Sequence, residues 1–285
     1  MQEEHPGSMG ERETYLWRIV VTGACFVLFG LGGLVLGLLV LPMLLLLPGD
    51  AARRRTRTRR LVQRSFRSFV AVMSGLRGLR YRFEGRERLG RPGQLIIANH
   101  PTLIDVVFIV AFTPAPACVV KAALFANPFT RRVVSAAGYT SNYPTDLMIE
   151  QAVAALRAGD CLVMFPEGTR TRPGQPLHFH RGVASIAVQA AAVLTPVYIR
   201  VDQPLLHKFQ PWYRVPPRTP RLEFVVGEDI DLAPYRQAPP PRASRELNAW
   251  LLSHYEARLG QAAGYNPGDD TGRLRVADVP NRPPT

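Results

Sequence analysis

His100 and Asp105 are the residues of this chain whose types and spacing most readily suggest chemistry. They lie in Ala98-Asn99-His100-Pro101-Thr102-Leu103-Ile104-Asp105, at the end of the apolar run 94–99. Pro101 biases His100 toward extended backbone and suits a helix start. His100 should therefore end a strand, with Asp105 one turn into a helix that can fold back toward it. A carboxylate on one imidazole nitrogen fixes the tautomer and makes the other nitrogen a better base. That nitrogen can take a proton from a substrate hydroxyl, which then attacks a thioester carbonyl without a protein nucleophile or a metal. Thr102-x-x-Asp105 also fits a plain capping box, and a strand-end His is often only a satisfied polar residue. On these residues alone both readings stand.

A second cluster, Phe165-Pro166-Glu167-Gly168-Thr169-Arg170, follows another apolar run. It places a carboxylate, a hydroxyl and a guanidinium within four positions. Gly168 lets backbone approach a ligand, and the Arg fork suits phosphate. The carboxyl ends of strands in an open α/β sheet are where ligands bind; the competing reading is a solvated turn. The chain has no GxSxG elbow, no Walker A loop, and no GxGxxG between a strand and a helix. These absences argue against an α/β-hydrolase nucleophile, a P-loop and a dinucleotide fingerprint. His178 and His180 have a spacing that could ligate a metal, but no carboxylate or Cys stands beside them, so they read as a solvated loop. Neither a metal nor a cofactor is expected. Cys25, Cys118 and Cys161 show no CxxC spacing and read as reduced thiols.

The elements that must position these clusters follow from the apolar runs. Strands are expected at 81–85, 94–99, 117–120, 138–141, 161–165, 195–199 and 221–227. Helices are expected at 105–112, 128–136, 146–158, 182–192 and 244–259, the last capped by Ser244. This alternation predicts an α/β domain with a mainly parallel sheet flanked by helices.

The amino-terminal third points to a membrane. No charged residue occurs from Ile19 to Leu47, more than the roughly 20 residues a bilayer requires. Pro42 should kink or end the helix, so a re-entrant hairpin in one leaflet competes with a simple span. Arg53, Arg54, Arg55, Arg57, Arg59 and Arg60 follow immediately, whereas Glu3, Glu4, Glu11 and Glu13 precede it. The positive-inside bias puts the rest of the chain on the cytoplasmic face of the inner membrane. Val62, Phe66, Phe69, Met73 and Leu76 then form a helical stripe, suited either to the interface plane or to packing on the domain. The expected organisation is a membrane segment at 1–50, a basic amphipathic interfacial helix at 51–79, a catalytic domain at 80–260 and a disordered tail at 261–285. A net charge of +13 favours an acidic partner. The densest basic cluster abuts the apolar segment, which favours lipid over nucleic acid.

Together, Asn99-His100-Pro101-Thr102-Leu103-Ile104-Asp105 and Phe165-Pro166-Glu167-Gly168-Thr169-Arg170 resemble the paired boxes of the glycerolipid and lysophospholipid acyltransferases, some sixty residues apart as in that family. The runs 119–129 and 195–199 are similar to its Lys-containing and Val-Pro-containing segments. The resemblance covers about residues 80–230. It implies O-acyl transfer from acyl-CoA or acyl carrier protein to a glycerolipid- or lysophospholipid-like hydroxyl. His100 would be the general base, with Asp105 orienting it; Glu167, Gly168, Thr169 and Arg170 would bind the acceptor. One departure stands out. Family members that acylate lysophosphatidic acid usually carry an Arg a few residues after the Gly at 138, where this chain has Ser141, Asn142 and Tyr143. The segment 210–221 is also similar to relatives tied to specialised, aryl-polyene-type acylation. A specialised acceptor, a thioesterase using the same base on water, and a non-catalytic basic membrane adaptor remain as alternatives.

Overall fold

The computed structural model describes residues 9–172 and 174–260; the tail expected at 261–285 lies outside them. Helix α1 (Met9–Val35) passes through a π-helical turn (Leu36–Val40) into α2 (Leu41–Leu46), and α3 (Ala51–Gly75) follows. The domain then reads β1 (Arg80–Glu84), β2 (Gln94–Ala98), α4 (Asp105–Phe112), β3 (Ala117–Val120), α5 (Ala123–Ala126), α6 (Arg131–Ala136), β4 (Thr140–Ser141), α7 (Thr145–Arg157), β5 (Leu162–Met164), α8 (Arg181–Ala190), β6 (Val193–Val201), β7 (Arg221–Val226), α9 (Ala233–Arg236) and α10 (Pro240–Gly260). One sheet runs in the order β1-β7-β6-β2-β5-β3-β4. Every pairing is parallel except the antiparallel β6–β7 pair.

Covered on both faces, the central strands are largely apolar, as a buried parallel sheet requires, with Gln94, Thr195 and Arg200 as buried polar exceptions. In β2, Leu95 and Ile97 face the layer formed by α7, α8 and α10, while Ile96 and Ala98 face that of α3 and α4. Helix α4 buries every residue from Val107 to Ala111. Each such large side chain contributes about 1.5–3 kcal/mol on leaving water, which fixes the helix that begins with Asp105. The expected helices at 105–112 and 146–158 form nearly as read. Helix α10 starts four residues before Ser244, because proline is tolerated in a first turn.

The amino-terminal helices fold back as an antiparallel pair. Trp17 Nε1 donates to Leu76 O at 3.1 Å, and the Phe29 ring meets those of Phe66 and Phe69. One side of this amino-terminal run is buried, through Arg18, Val21 and Cys25 of α1, Gly37 of the π-helical turn and Leu41 of α2. A Cβ on Gly33 would stand 2.7 Å from Phe129 O, so only glycine permits this approach. The other face, including Leu16, Val20, Val27 and Leu31, is exposed. Asp50 caps α3 by accepting from Arg53 N at 2.7 Å. Most of the 62–76 stripe packs inward: Val62 and Met73 are buried, with Phe66 and Phe69 half-buried, whereas Leu76, just past the end of α3, is exposed. Arg59 is also buried, donating to Ala137 O and pairing with Asp160 at 2.8 Å. What α3 exposes is chiefly arginine: Arg53, Arg54, Arg55, Arg60, Arg64 and Arg67.

Candidate active site

Strands β2 and β5 are adjacent, so two segments more than sixty residues apart emerge side by side at the carboxyl edge of the sheet. Asn99 closes the end of β2. Its amide donates to Ile199 O at 2.8 Å and accepts from Ile199 N at 2.7 Å. His100 comes next, held from two sides by the second cluster. Its N–H donates to Glu167 Oε1 at 2.7 Å, and its carbonyl accepts from Thr171 N at 3.1 Å.

The imidazole Nδ1 lies 2.8 Å from Asp105 Oδ2, and the ring packs on Phe165 with centroids 4.4 Å apart. Asp105 is fully buried. Its Oδ2 also accepts from Thr102 N at 2.7 Å, and its Oδ1 accepts from Thr102 Oγ1 at 2.5 Å. Thr102 does not cap α4, whose N-cap residue is Ile104, and its contacts coexist with the His contact because one carboxylate has lone pairs for both. Nε2 of His100 makes no hydrogen bond among the described residues and remains available to a ligand.

Glu167 is buried, and its oxygens are taken by His100 N–H and the Thr171 hydroxyl. The family resemblance gives this carboxylate to the acceptor; its contacts here also brace one box against the other. Burial raises the Glu167 carboxyl above its ordinary value, opposed by those two hydrogen bonds. Gly168 is exposed with φ of 63°, the left-handed region glycine favours. The His180 ring lies over it, 3.0 Å from where a Cβ would stand. Thr169 is half-buried beside it. Arg170 Nη1 donates to Leu206 O at 2.7 Å and to His207 O at 3.3 Å. Burial lowers the Arg170 pKa and the Asp105 charge opposes the shift; the guanidinium stays charged.

Cys118 and Cys161 are buried, and burial pushes each thiol up to about 12, which disfavours a thiolate nucleophile. Among the described residues, no three His, Cys, Asp or Glu side chains gather as a metal site. Lys121 follows β3 and is exposed at the same edge as His100. Arg55 reaches Gly138 and Arg59 binds at Ala137 and Asp160. Those positions precede β4 and β5, so both arginines lie at the opposite edge. The grip of 206–207 on Arg170 joins segments 36 residues apart and has no signature in local spacing.

Residues 80–200 match the family model described as Acyltransferase. The 1-acyl-sn-glycerol-3-phosphate acyltransferase of Pseudomonas aeruginosa is 26% identical over 210 residues, covering 69% of this chain and 77% of that one. Together these matches support the 1-acylglycerol-3-phosphate acyltransferase-like family. As an O-acyltransferase it needs an acyl donor and a lipid acceptor. The acyltransferase also shares its fold with the crystal structure of the 1-acyl-sn-glycerophosphate (LPA) acyltransferase PlsC from Thermotoga maritima. The TM-score is 0.66 at 18% identity, covering 90% of this chain and 99% of that one. A match of that extent takes in the amino-terminal helices as well as the sheet.

Proposed function

We propose that this acyltransferase moves a fatty acyl group from a thioester donor to a hydroxyl of a lysophospholipid-like glycerolipid acceptor, with His100 as general base. The observation that carries this reading is the His100–Asp105 contact at 2.8 Å, with Nε2 left for substrate. The acceptor hydroxyl gives its proton to Nε2 as its oxygen attacks the thioester carbonyl. Asp105 stabilises the imidazolium that forms. Collapse of the tetrahedral intermediate breaks the C–S bond, and the imidazolium returns the proton to the leaving thiolate. Arg170 would hold an anionic group of the acceptor, and Lys121 is a second cation at that edge. An open cavity of about 800 Å³ lies beside Asn99, Pro101, Glu167 and Thr171, walled by Leu177, Ile199 and Arg200, within the range of small-molecule pockets. Either acyl-CoA or acyl carrier protein would supply the thioester.

The apolar run Thr14–Leu46 is long enough to cross a membrane. However, α1 and the π-helical turn after it lie against the domain from Arg18, which donates to Pro216 O and Pro217 O, to Gly37 beside Arg132. The domain could not stay in water if α1 crossed the bilayer along that same length. This supports an anchor lying in one leaflet, its exposed face in lipid, and the positive-inside bias supports the cytoplasmic side.

A second reading, weaker selection for a phosphorylated acceptor, rests on Ser141, Asn142 and Tyr143. None is a cation, and Asn142 Oδ1 is occupied by Ala122 N–H at 3.0 Å. The deciding experiment incubates the full-length enzyme with acyl-CoA and with acyl carrier protein against a panel of lysolipid and glycerol-phosphate acceptors, read by mass spectrometry. Acylated acceptor that disappears in a folded His100→Ala variant is expected. Release of free acid alone would replace the proposal with a thioesterase, and wild-type turnover by His100→Ala would remove His100 from the mechanism.

A further inference from the structure

The segment 203–217 leaves β6 and crosses the front of the site before β7. Buried Leu205 and His207 pin one end and buried Val215 the other. Between them Phe209 is 74% exposed, Tyr213 57% and Trp212 47%. The segment is ordered by its own bonds. Gln210 Nε2 donates to Arg214 O at 2.6 Å, His207 N donates to Gln210 Oε1 at 2.9 Å, and Gln210 N and Arg214 N close successive turns. Leu206 and Phe209 have φ of 47° and 68°, where a residue with a Cβ is strained. A large phenyl group is thus held in solvent by strained backbone, an arrangement water gives no reason to keep.

Two observations say what would cover these rings. The first is continuity with the exposed face of α1. The Trp212 ring packs 3.2 Å from where a Cβ on Gly23 would stand, and lies 6.3 Å from the Phe26 ring. The second is charge. From Gln203 to Leu222 there is no Asp or Glu, while Lys208, Arg214, Arg218 and Arg221 all fall there. Arg172 and Lys208 both lie over the Phe209 ring, at 4.7 and 5.4 Å. Aromatic rings backed by cations suit the headgroup level of an anionic bilayer. Backbone groups already bonded within the loop lower the cost of leaving water.

We propose that the 205–215 loop is a second membrane-contact element, separate from the amino-terminal helices. It inserts Phe209, Trp212 and Tyr213 at the surface of an anionic phospholipid bilayer. The Leu206 and His207 carbonyls hold Arg170, and the His207 ring meets Pro101 O at 3.0 Å. Docking of this loop therefore sets the level of Arg170 and His100 against the lipid surface and steers a membrane-borne acceptor to them.

The test uses full-length enzyme in vesicles of phosphatidylethanolamine and phosphatidylglycerol. An environment-sensitive fluorophore is placed at Phe209→Cys or, independently, Tyr213→Cys. The three native thiols are buried, so labelling is specific. Gln189→Cys, exposed at the far end of α8, is the water-facing control. Both loop labels are expected to shift to the blue and to be quenched several-fold more by nitroxide on lipid chains than by iodide, with the control reversed. Iodide quenching that persists on vesicles would overturn the proposal. So would a blue shift that grows with protein concentration and ignores the lipid nitroxide, which would assign the rings to a second copy of the chain. The readout needs no turnover, so its failure is separable from failure of the acyl-transfer reading.

Discussion

Replacing Asp105 with Asn tests the orienting carboxylate with little change of shape. Asp105 Oδ2 accepts from His100 Nδ1 and Thr102 N, and Oδ1 accepts from Thr102 Oγ1. An Asn whose oxygen takes the Oδ2 place keeps the first two contacts, and its amide can donate to the Thr102 hydroxyl after that hydroxyl turns. The loss is then one negative charge beside an imidazole that becomes positive during transfer. Two unit charges about 4 Å apart at an effective dielectric of about 20 interact by about 4 kcal/mol. The retained neutral hydrogen bond returns about 1 kcal/mol. The remaining ~3 kcal/mol corresponds to about 10²-fold in kcat. His100→Ala should cost about 10²–10⁴-fold, and the double variant no more, since both act through one proton transfer. Thiol release measured with product formation gives the rate, and thermal melting should move little. An Asp105→Asn enzyme that is folded and within about threefold of wild type would refute the reasoning, as would a rate loss that only follows a collapse in Tm.

Glu167→Ala strips the acceptor from a buried His100 N–H and should destabilise by about 1–3 kcal/mol, whereas Glu167→Gln can satisfy both partners; melting curves separate them. Burial raises the wild-type carboxyl, so its ionised form is the costly one. The melting advantage of Glu167→Gln should therefore be absent below the ordinary value of 4.5 and grow as pH climbs through the raised one; a constant difference across that range would contradict the assignment. Gly168→Ala forces φ of 63° on a Cβ beside His180, costing about 1–2 kcal/mol, with a lower Tm and slower turnover expected. Tyr143→Arg, at an exposed position, should raise the preference for lysophosphatidic acid over its unphosphorylated analogue in a competition assay; strong native preference lost on Arg131→Ala or Arg132→Ala would count against it. Deleting residues 1–50 removes buried Val21, Cys25 and Leu41 and uncovers Phe66 and Phe69. The truncated protein should melt lower and aggregate in size-exclusion chromatography, and an equally stable monomer would show that α1 is not part of the core.

Much of the sheet was legible because its strands are buried on both faces. Runs such as Leu95–Ala98 and Leu162–Met164 carry the apolar signal without interruption. Both site clusters were visible for the same reason, each being the polar punctuation after such a run. What the chain order concealed was long-range polar pairing. Arg59 reads as one more surface cation until Asp160 is found 2.8 Å away. Glu167 reads as a ligand-binding carboxylate, and nothing in its spacing shows that His100 N–H and the Thr171 hydroxyl also bond to it. The stripe on α3 suited a lipid surface or a protein surface equally, and only the position of Phe29 assigned its rings. Trp212 meets Gly23 across a separation no periodicity encodes.

The placement of β2 beside β5, with β3 and β4 beyond them, divides the labour of the site. Residues 99–105 and 165–171 form one closed, mutually bonded unit. The chain between them makes an excursion to the outer edge of the sheet and returns. Ser141, Asn142 and Tyr143 lie on that excursion, and Lys121 at its start. The excursion can therefore change, by substitution or by lengthening of the turns around α5 and α6, without touching the His100–Asp105 contact. Divergence in acceptor choice should accumulate at that outer edge while the paired boxes stay as they are.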